Sequence, residues 1–183
     1  SFMNDADPQL SLYRVQIDYW KPQFGFTLRT RSESPVGGGL GGSSSLTISM
    51  LKAFAKASYQ EFSSDHEMVK VAHNLEARQL ITPTGTQDYY PAARGGLNIL
   101  DYSPTGIKQS VFEVNDPDLQ ERFLLVYTGR AHHSGLNNFE VLTQAVKKDP
   151  VVIRALSQIK TIADEMAALV SAGQWANLTP LFA

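Results

Sequence analysis

Twelve consecutive residues, Ser34-Pro35-Val36-Gly37-Gly38-Gly39-Leu40-Gly41-Gly42-Ser43-Ser44-Ser45, carry the strongest chemical signal in the chain. Glycines reach positive φ and bring backbone close to a ligand with no Cβ in the way. The apolar, helix-periodic run from Leu46 to Phe62 follows at once. The loop therefore feeds a helix start, where unpaired N–H groups and the positive end of the dipole favour an anion. The chemistry this suits is phosphate binding. The serines can cap the helix, contact the phosphate or hold a magnesium ion. Two familiar phosphate motifs do not fit: no Gly-Lys-Ser/Thr ending is present, and no acid is placed for a ribose after a βαβ start. The same composition also suits a flexible Gly/Ser linker. Its place between an alternating segment and a strongly periodic helix favours the cradle.

The elements around it follow from periodicity. Leu10 to Trp20 alternates, with Tyr13, Val15, Ile17 and Tyr19 on one side and Arg14, Gln16 and Asp18 on the other, and predicts a half-buried strand. A turn over residues 21–25 and the alternation of Phe26, Leu28 and Thr30 predict a hairpin partner. After the glycines, Leu51, Phe54, Ala55, Tyr59 and Phe62 form an amphipathic stripe that would bury against a sheet. Asp65 reads as the N-cap of a second helix, about residues 66–80, with Met68, Ala72, Leu75 and Gln79 on one face. Glu76 lies on the flank of that face; a carboxylate there is ordinarily solvated or ion-paired. Residues 82–98 form a breaker-rich loop, yet Asp88-Tyr89-Tyr90 and Ala92-Ala93 are too apolar for a solvated linker.

Further on, Leu97 to Leu100 and Ile107 to Val114 predict a second hairpin, and the continuous apolar run Phe123 to Tyr127 predicts a strand buried on both faces. His132 and His133 have no Cys, Asp or Glu at metal-ligand spacing, and adjacent residues of an extended chain point apart, so they read as pocket lining or surface. From Asn137 the chain turns helical with a stripe of Phe139, Leu142 and Val146. Asp149-Pro150 opens a long amphipathic helix that ends at Gly173, a natural C′ residue. Trp175 to Ala183 predicts no element. The order of strands and helices gives α+β.

A chain of 183 residues with 43% apolar and 19% charged content is an ordinary globular composition. A net charge of −2 supplies no basic field for nucleic acid or an anionic membrane. With no cysteine there is neither a disulfide framework nor a thiolate metal site, which accords with the cytoplasm. No run is long enough to span a bilayer. Ser1-Phe2-Met3 reads as an expression scar ahead of a start methionine.

The stretch from Pro35 to Ser45 resembles the central phosphate-binding motif of the GHMP kinases, the galacto-, homoserine, mevalonate and phosphomevalonate kinases. Glu76, Asp88 and Gly95-Gly96 match the family's order of a helix glutamate, a small-residue loop with an aspartate, and a Gly-Gly before a strand. The Gln-Asp pair and Gly-Gly-Leu-Asn are most similar to the heptose-phosphate and related sugar kinases.

The resemblance implies an ATP-dependent kinase of a sugar or sugar phosphate, with ATP and Mg2+ as cofactors. Pro35, Gly37, Gly38, Gly39, Leu40, Gly41, Gly42, Ser43 and Ser44 would bind nucleotide, and Ser43 with Glu76 would hold the metal. Asp88 would face the acceptor hydroxyl, taking or orienting its proton, with Thr84, Tyr89 and Arg94 as weaker candidates for substrate contact. For the fold it implies a sheet like domain 2 of ribosomal protein S5, with helices on one face and a left-handed crossover, over residues 1–130. Residues 131–183 would begin a ferredoxin-like C-terminal domain.

The likeness runs from about Gly25 to the end. The family's N-terminal substrate motif and its third glycine-rich motif have no counterpart, and Gly42 stands where the family has a serine. The chain thus reads as an incomplete kinase, with weak or no turnover alone and an exposed apolar face that favours a homo-oligomer. The alternative is an inactive nucleotide- or sugar-binding module, which would need neither Glu76 nor Asp88.

Overall fold

A computed structural model describes residues 10–35, 37–80, 84–114, 121, 123–130 and 134–182. The elements are α1 (Ser11–Trp20), α2 (Gly42–Ala57), α3 (Asp65–Leu80), α4 (Tyr89–Arg94), β1 (Leu97–Ser103), β2 (Gly106–Phe112), α5 (Ser134–Val146), α6 (Pro150–Ser171) and a 3₁₀ segment, Trp175–Phe182. They fall into two compact units. One joins Ser1–Phe112 with Tyr127–Leu136, and the other joins Glu113–Val126 with Asn137–Ala183. The architecture is α+β, with a sheet of two antiparallel strands.

In the first unit α2, α3 and α4 close around Ile48, Leu51, Val69, Ala72, Tyr89 and Tyr90, all nearly or completely buried. The hairpin lies against them through Leu100 and Ile107. Its register pairs Leu97 with Phe112 and Ser103 with Gly106. Gly96, at φ 68°, enters β1 so close to its partner strand that a Cβ would lie 2.8 Å from the Phe112 carbonyl oxygen. That contact explains why glycine stands there.

The predicted strand Leu10 to Trp20 is the helix α1. Its inner face contains Leu12 and Gln16, with Val15 and Trp20 packed beside them. Gln16, expected on the solvent side of a strand, is 0% exposed, and its Nε2 donates to the Thr47 carbonyl at 3.4 Å. A polar residue in the middle of the buried face concealed the 3.6-residue period and left the two-residue period as the visible pattern.

With α1 helical, the segment around Phe26, Leu28 and Thr30 loses its hairpin partner and forms no strand. It is held by side chains instead: Tyr13 Oη to Thr30 Oγ1 at 2.7 Å, and the Phe26 ring edge-on to Phe54. The apolar run Phe123 to Tyr127 is likewise no strand, and Leu124 is 88% exposed. A strand buried on both faces needs neighbours in a sheet, and the described sheet has only β1 and β2.

Helix α2 stops at Ala57, so Tyr59, expected in its apolar stripe, takes a left-handed conformation and faces solvent. At the start of α3 the cap is Ser64 rather than Asp65. Ser64 Oγ accepts from the Glu67 N–H, and the Glu67 carboxylate accepts from the Ser63 N–H in return. This is a reciprocal box displaced by one residue from the expected cap. The loop read over residues 82–98 contains α4 and the start of β1.

In the second unit, Asp149 caps α6 as expected. Its Oδ1 accepts from Val151 N–H at 2.9 Å and Val152 N–H at 3.1 Å, with Pro150 next to it. Replacing Asp149 with alanine strands both donors, and a loss of about 1 kcal/mol is expected in denaturant melts. Gly173, at φ 68°, follows the helix end, and the expected structureless tail is the 3₁₀ segment, anchored by the buried Leu178. Val146, Val151 and Ile159 remain mostly exposed. Among the described residues no helix is long and apolar enough to cross a membrane.

Candidate active site

Residues 37–41 turn into α2. The Gly38 N–H donates to the Pro35 carbonyl at 3.0 Å, and Gly37, Gly39 and Gly41 all have positive φ. Gly41 is the N-cap, and its carbonyl accepts from the Ser45 N–H at 2.9 Å. No side chain caps the helix and no acid lies in its first turn. The first N–H groups, those of Gly42, Ser43 and Ser44, are therefore left without intrahelical acceptors at the positive end of the dipole. Leu40 is half-exposed, and a Cβ at Gly42 would meet nothing closer than Ser34 Oγ at 3.7 Å.

Both acids singled out in the sequence come to this turn. Ser43 Oγ donates to Glu76 Oε1 at 2.5 Å, joining α2 to α3. Glu76 is 5% exposed, so it is neither a solvated helix charge nor, among the described residues, part of an ion pair. Its second oxygen, Oε2, accepts from the Tyr89 hydroxyl. The Ser44 and Thr84 hydroxyls lie within hydrogen-bonding reach of that same phenol oxygen. Burial, and then the Glu76 carboxylate, push the Tyr89 phenol well above its ordinary pKa.

Asp88 immediately precedes Tyr89 and starts α4, with no side-chain cap bond. A Cβ built on Gly41 would lie 3.0 Å from Asp88 Cγ and 3.1 Å from Oδ2. The carboxylate thus packs directly on the glycine loop. Burial, and secondarily the charge of Glu76, hold its pKa above the usual aspartate value.

The structure brings Gly41, Ser43, Ser44, Glu76, Thr84, Asp88 and Tyr89 into one network. Tyr89 is completely buried and meets the site through Glu76. Arg94 lies apart from that network, exposed and paired with Asp65 at 3.1 Å. His132 and His133 lie outside the described residues. Sequence reasoning passed over His73, whose Nε2 donates to the Thr84 carbonyl at 3.0 Å while its ring meets Tyr89 edge-on. The available signal was its spacing: three residues before Glu76 on a helix is the same face.

Among the described residues, no group of three or more His, Asp or Glu side chains could hold a metal. One hydroxyl and one carboxylate side by side, as at Ser43 and Glu76, are instead the sparse oxygen set on which magnesium relies when phosphates complete its shell. Residues 10–96 match the family model for the GHMP kinase N-terminal domain. Every residue of the network lies inside this segment, which begins ahead of Gly25 and ends at Gly96. The chain is also 38% identical over 93 residues to D-glycero-alpha-D-manno-heptose 7-phosphate kinase of Campylobacter jejuni. That stretch is 50% of this chain and 27% of the Campylobacter protein. No solved structure matches the chain.

Proposed function

We propose that the chain belongs to an ATP-dependent phosphotransferase that phosphorylates a hydroxyl of a sugar or sugar phosphate in the cytoplasm. The observation that carries this reading is the contact of Asp88 with Gly41 beside the Ser43–Glu76 pair. In this reading the loop would be the phosphate cradle, Ser43 and Glu76 the two oxygen ligands, and Asp88 the acceptor-side carboxylate, and their closeness is what supports it. The Campylobacter relative, whose name specifies a heptose 7-phosphate, points to the same substrate class.

In this reading the residues from Pro35 to Ser44 hold the nucleotide phosphates with backbone donors and the dipole of α2. Ser43 and Glu76 would hold Mg2+, which when bound offsets negative charge on the phosphate oxygens. Asp88 faces the acceptor hydroxyl and takes its proton as the new P–O bond forms and the bond to the departing ADP breaks. Its raised pKa suits a proton acceptor. Thr84 is left for substrate contact, and Tyr89 for support, while Arg94 stays with Asp65 away from the network.

The S5-like sheet, the division near residue 130 and the ferredoxin-like second domain belong to this reading as well, as does association into a homo-oligomer through the exposed apolar face. An inactive binding module would have no use for an acid packed on the glycine loop. Calorimetric titration with Mg-ATP or a non-hydrolysable analogue tests the proposal. Nucleotide binding is the expected result, with at most weak phosphoryl transfer by this chain alone to a sugar-phosphate panel that includes heptose 7-phosphate. Absence of nucleotide binding would overturn it.

A further inference from the structure

The two hydroxyls that meet Glu76 are not equivalent. Ser43 lies exposed on the first turn of α2, able to turn its hydroxyl toward a ligand. Tyr89 is 0% exposed, packed in the core of the first unit with His73 edge-on to its ring. Its hydroxyl has Glu76 on α3, Ser44 on α2 and Thr84 on the preceding loop around it. We infer that Tyr89 is the positioning residue for Glu76: its buried hydroxyl fixes Oε2, so that Oε1 is presented beside Ser43 where a divalent cation would meet both. This rests on the kinase reading above and adds to it the group that sets the carboxylate.

A glutamate reaching from a helix has three side-chain torsions and, without an anchor, samples many positions. A donor fixed in the core removes that freedom and assigns the two oxygens different tasks. Oε2 stays with the phenol, and Oε1, together with the Ser43 oxygen, would hold the cation once Ser43 rotates its proton away. Because Asp88 is the residue before Tyr89, the same buried ring also fixes where α4 begins, and with it the separation of the two acids. Supporting partners of this kind typically govern metal affinity by tenfold to a hundredfold.

The test is Tyr89→Phe, which keeps the ring and removes only the donor. Mn2+ binding in the presence of a saturating non-hydrolysable ATP analogue is read by electron paramagnetic resonance. The analogue's own affinity is read by calorimetry without metal. Mn2+ affinity should fall roughly tenfold or more while metal-free analogue affinity stays within about twofold. A merely structural role would lower the melting temperature without separating the two affinities. Unchanged Mn2+ affinity in the variant would overturn the inference and leave the kinase reading standing. Failure of the wild-type chain to bind Mn2+ with the analogue would overturn both. Should the variant not fold, the wild-type chain decides: a slowly exchanging, downfield hydroxyl proton from Tyr89 that shifts on adding Mg2+ with the analogue supports the inference, and its absence overturns it.

Discussion

Replacing Gly41 with valine is expected to weaken nucleotide binding by more than about a hundredfold, a free-energy change of about 3 kcal/mol. Gly41 is at φ +65°, a region that costs a β-branched residue roughly 1–3 kcal/mol. Even the first added carbon would meet Asp88 at 3.0 Å, so either the loop or the acid has to move. The two effects act on the same atoms that would hold the phosphates. Gly42 offers the control. A Cβ there meets only Ser34 Oγ, at 3.7 Å, and no positive φ is needed, so Gly42→Ser should bind as the parent chain does. Calorimetry on both variants separates the outcomes, and equal binding by Gly41→Val would show that the loop is not the cradle.

The loop was legible because its signal is local: a glycine's conformational freedom and the helix start after it are both written in adjacent residues. The same holds for the cap at Asp149 and for the hairpin of β1 and β2. Helix α1 was not, because Gln16 stands on its buried face and only the packing against α2 shows that the amide belongs inside. The run from Phe123 to Tyr127 misled in the opposite sense, since apolar sequence predicts burial only where a neighbour exists to supply it. Glu76 is the instructive case for the site. Its burial depends on hydroxyls that arrive from 33 and 13 residues away along the chain, a coincidence that no window of periodicity contains. The order of motifs pointed to the residue, but not to Tyr89 as the partner of its second oxygen.

Asp88→Asn should separate activity from stability in opposite directions. If Asp88 takes the acceptor's proton, loss of the carboxylate should lower kcat/KM by roughly 10²–10⁴-fold, the span general-base catalysis usually supplies. Stability should move the other way. Burial and the Glu76 charge raise the Asp88 pKa in the folded chain, so its protonated form is the one the fold favours. That contribution is fully present below the unfolded pKa and is lost as pH rises through the folded value. At neutral pH the wild-type chain carries an ionised carboxylate that its surroundings disfavour, whereas asparagine stays neutral throughout. Asp88→Asn should therefore melt at a higher temperature than wild type near pH 7. The gain is limited because Asp88 is partly exposed. The difference should close as pH falls below the ordinary carboxylate range, where both side chains are neutral. The acid limb of the wild-type kcat/KM profile should lie above the usual aspartate value for the same reason, because the base is available only once that raised pKa is passed. A variant that loses activity while its melting temperature falls at every pH would mean that Asp88 supports the loop mechanically. The opposed movement of rate and stability is what identifies a carboxylate held in place for its chemistry at the expense of the fold.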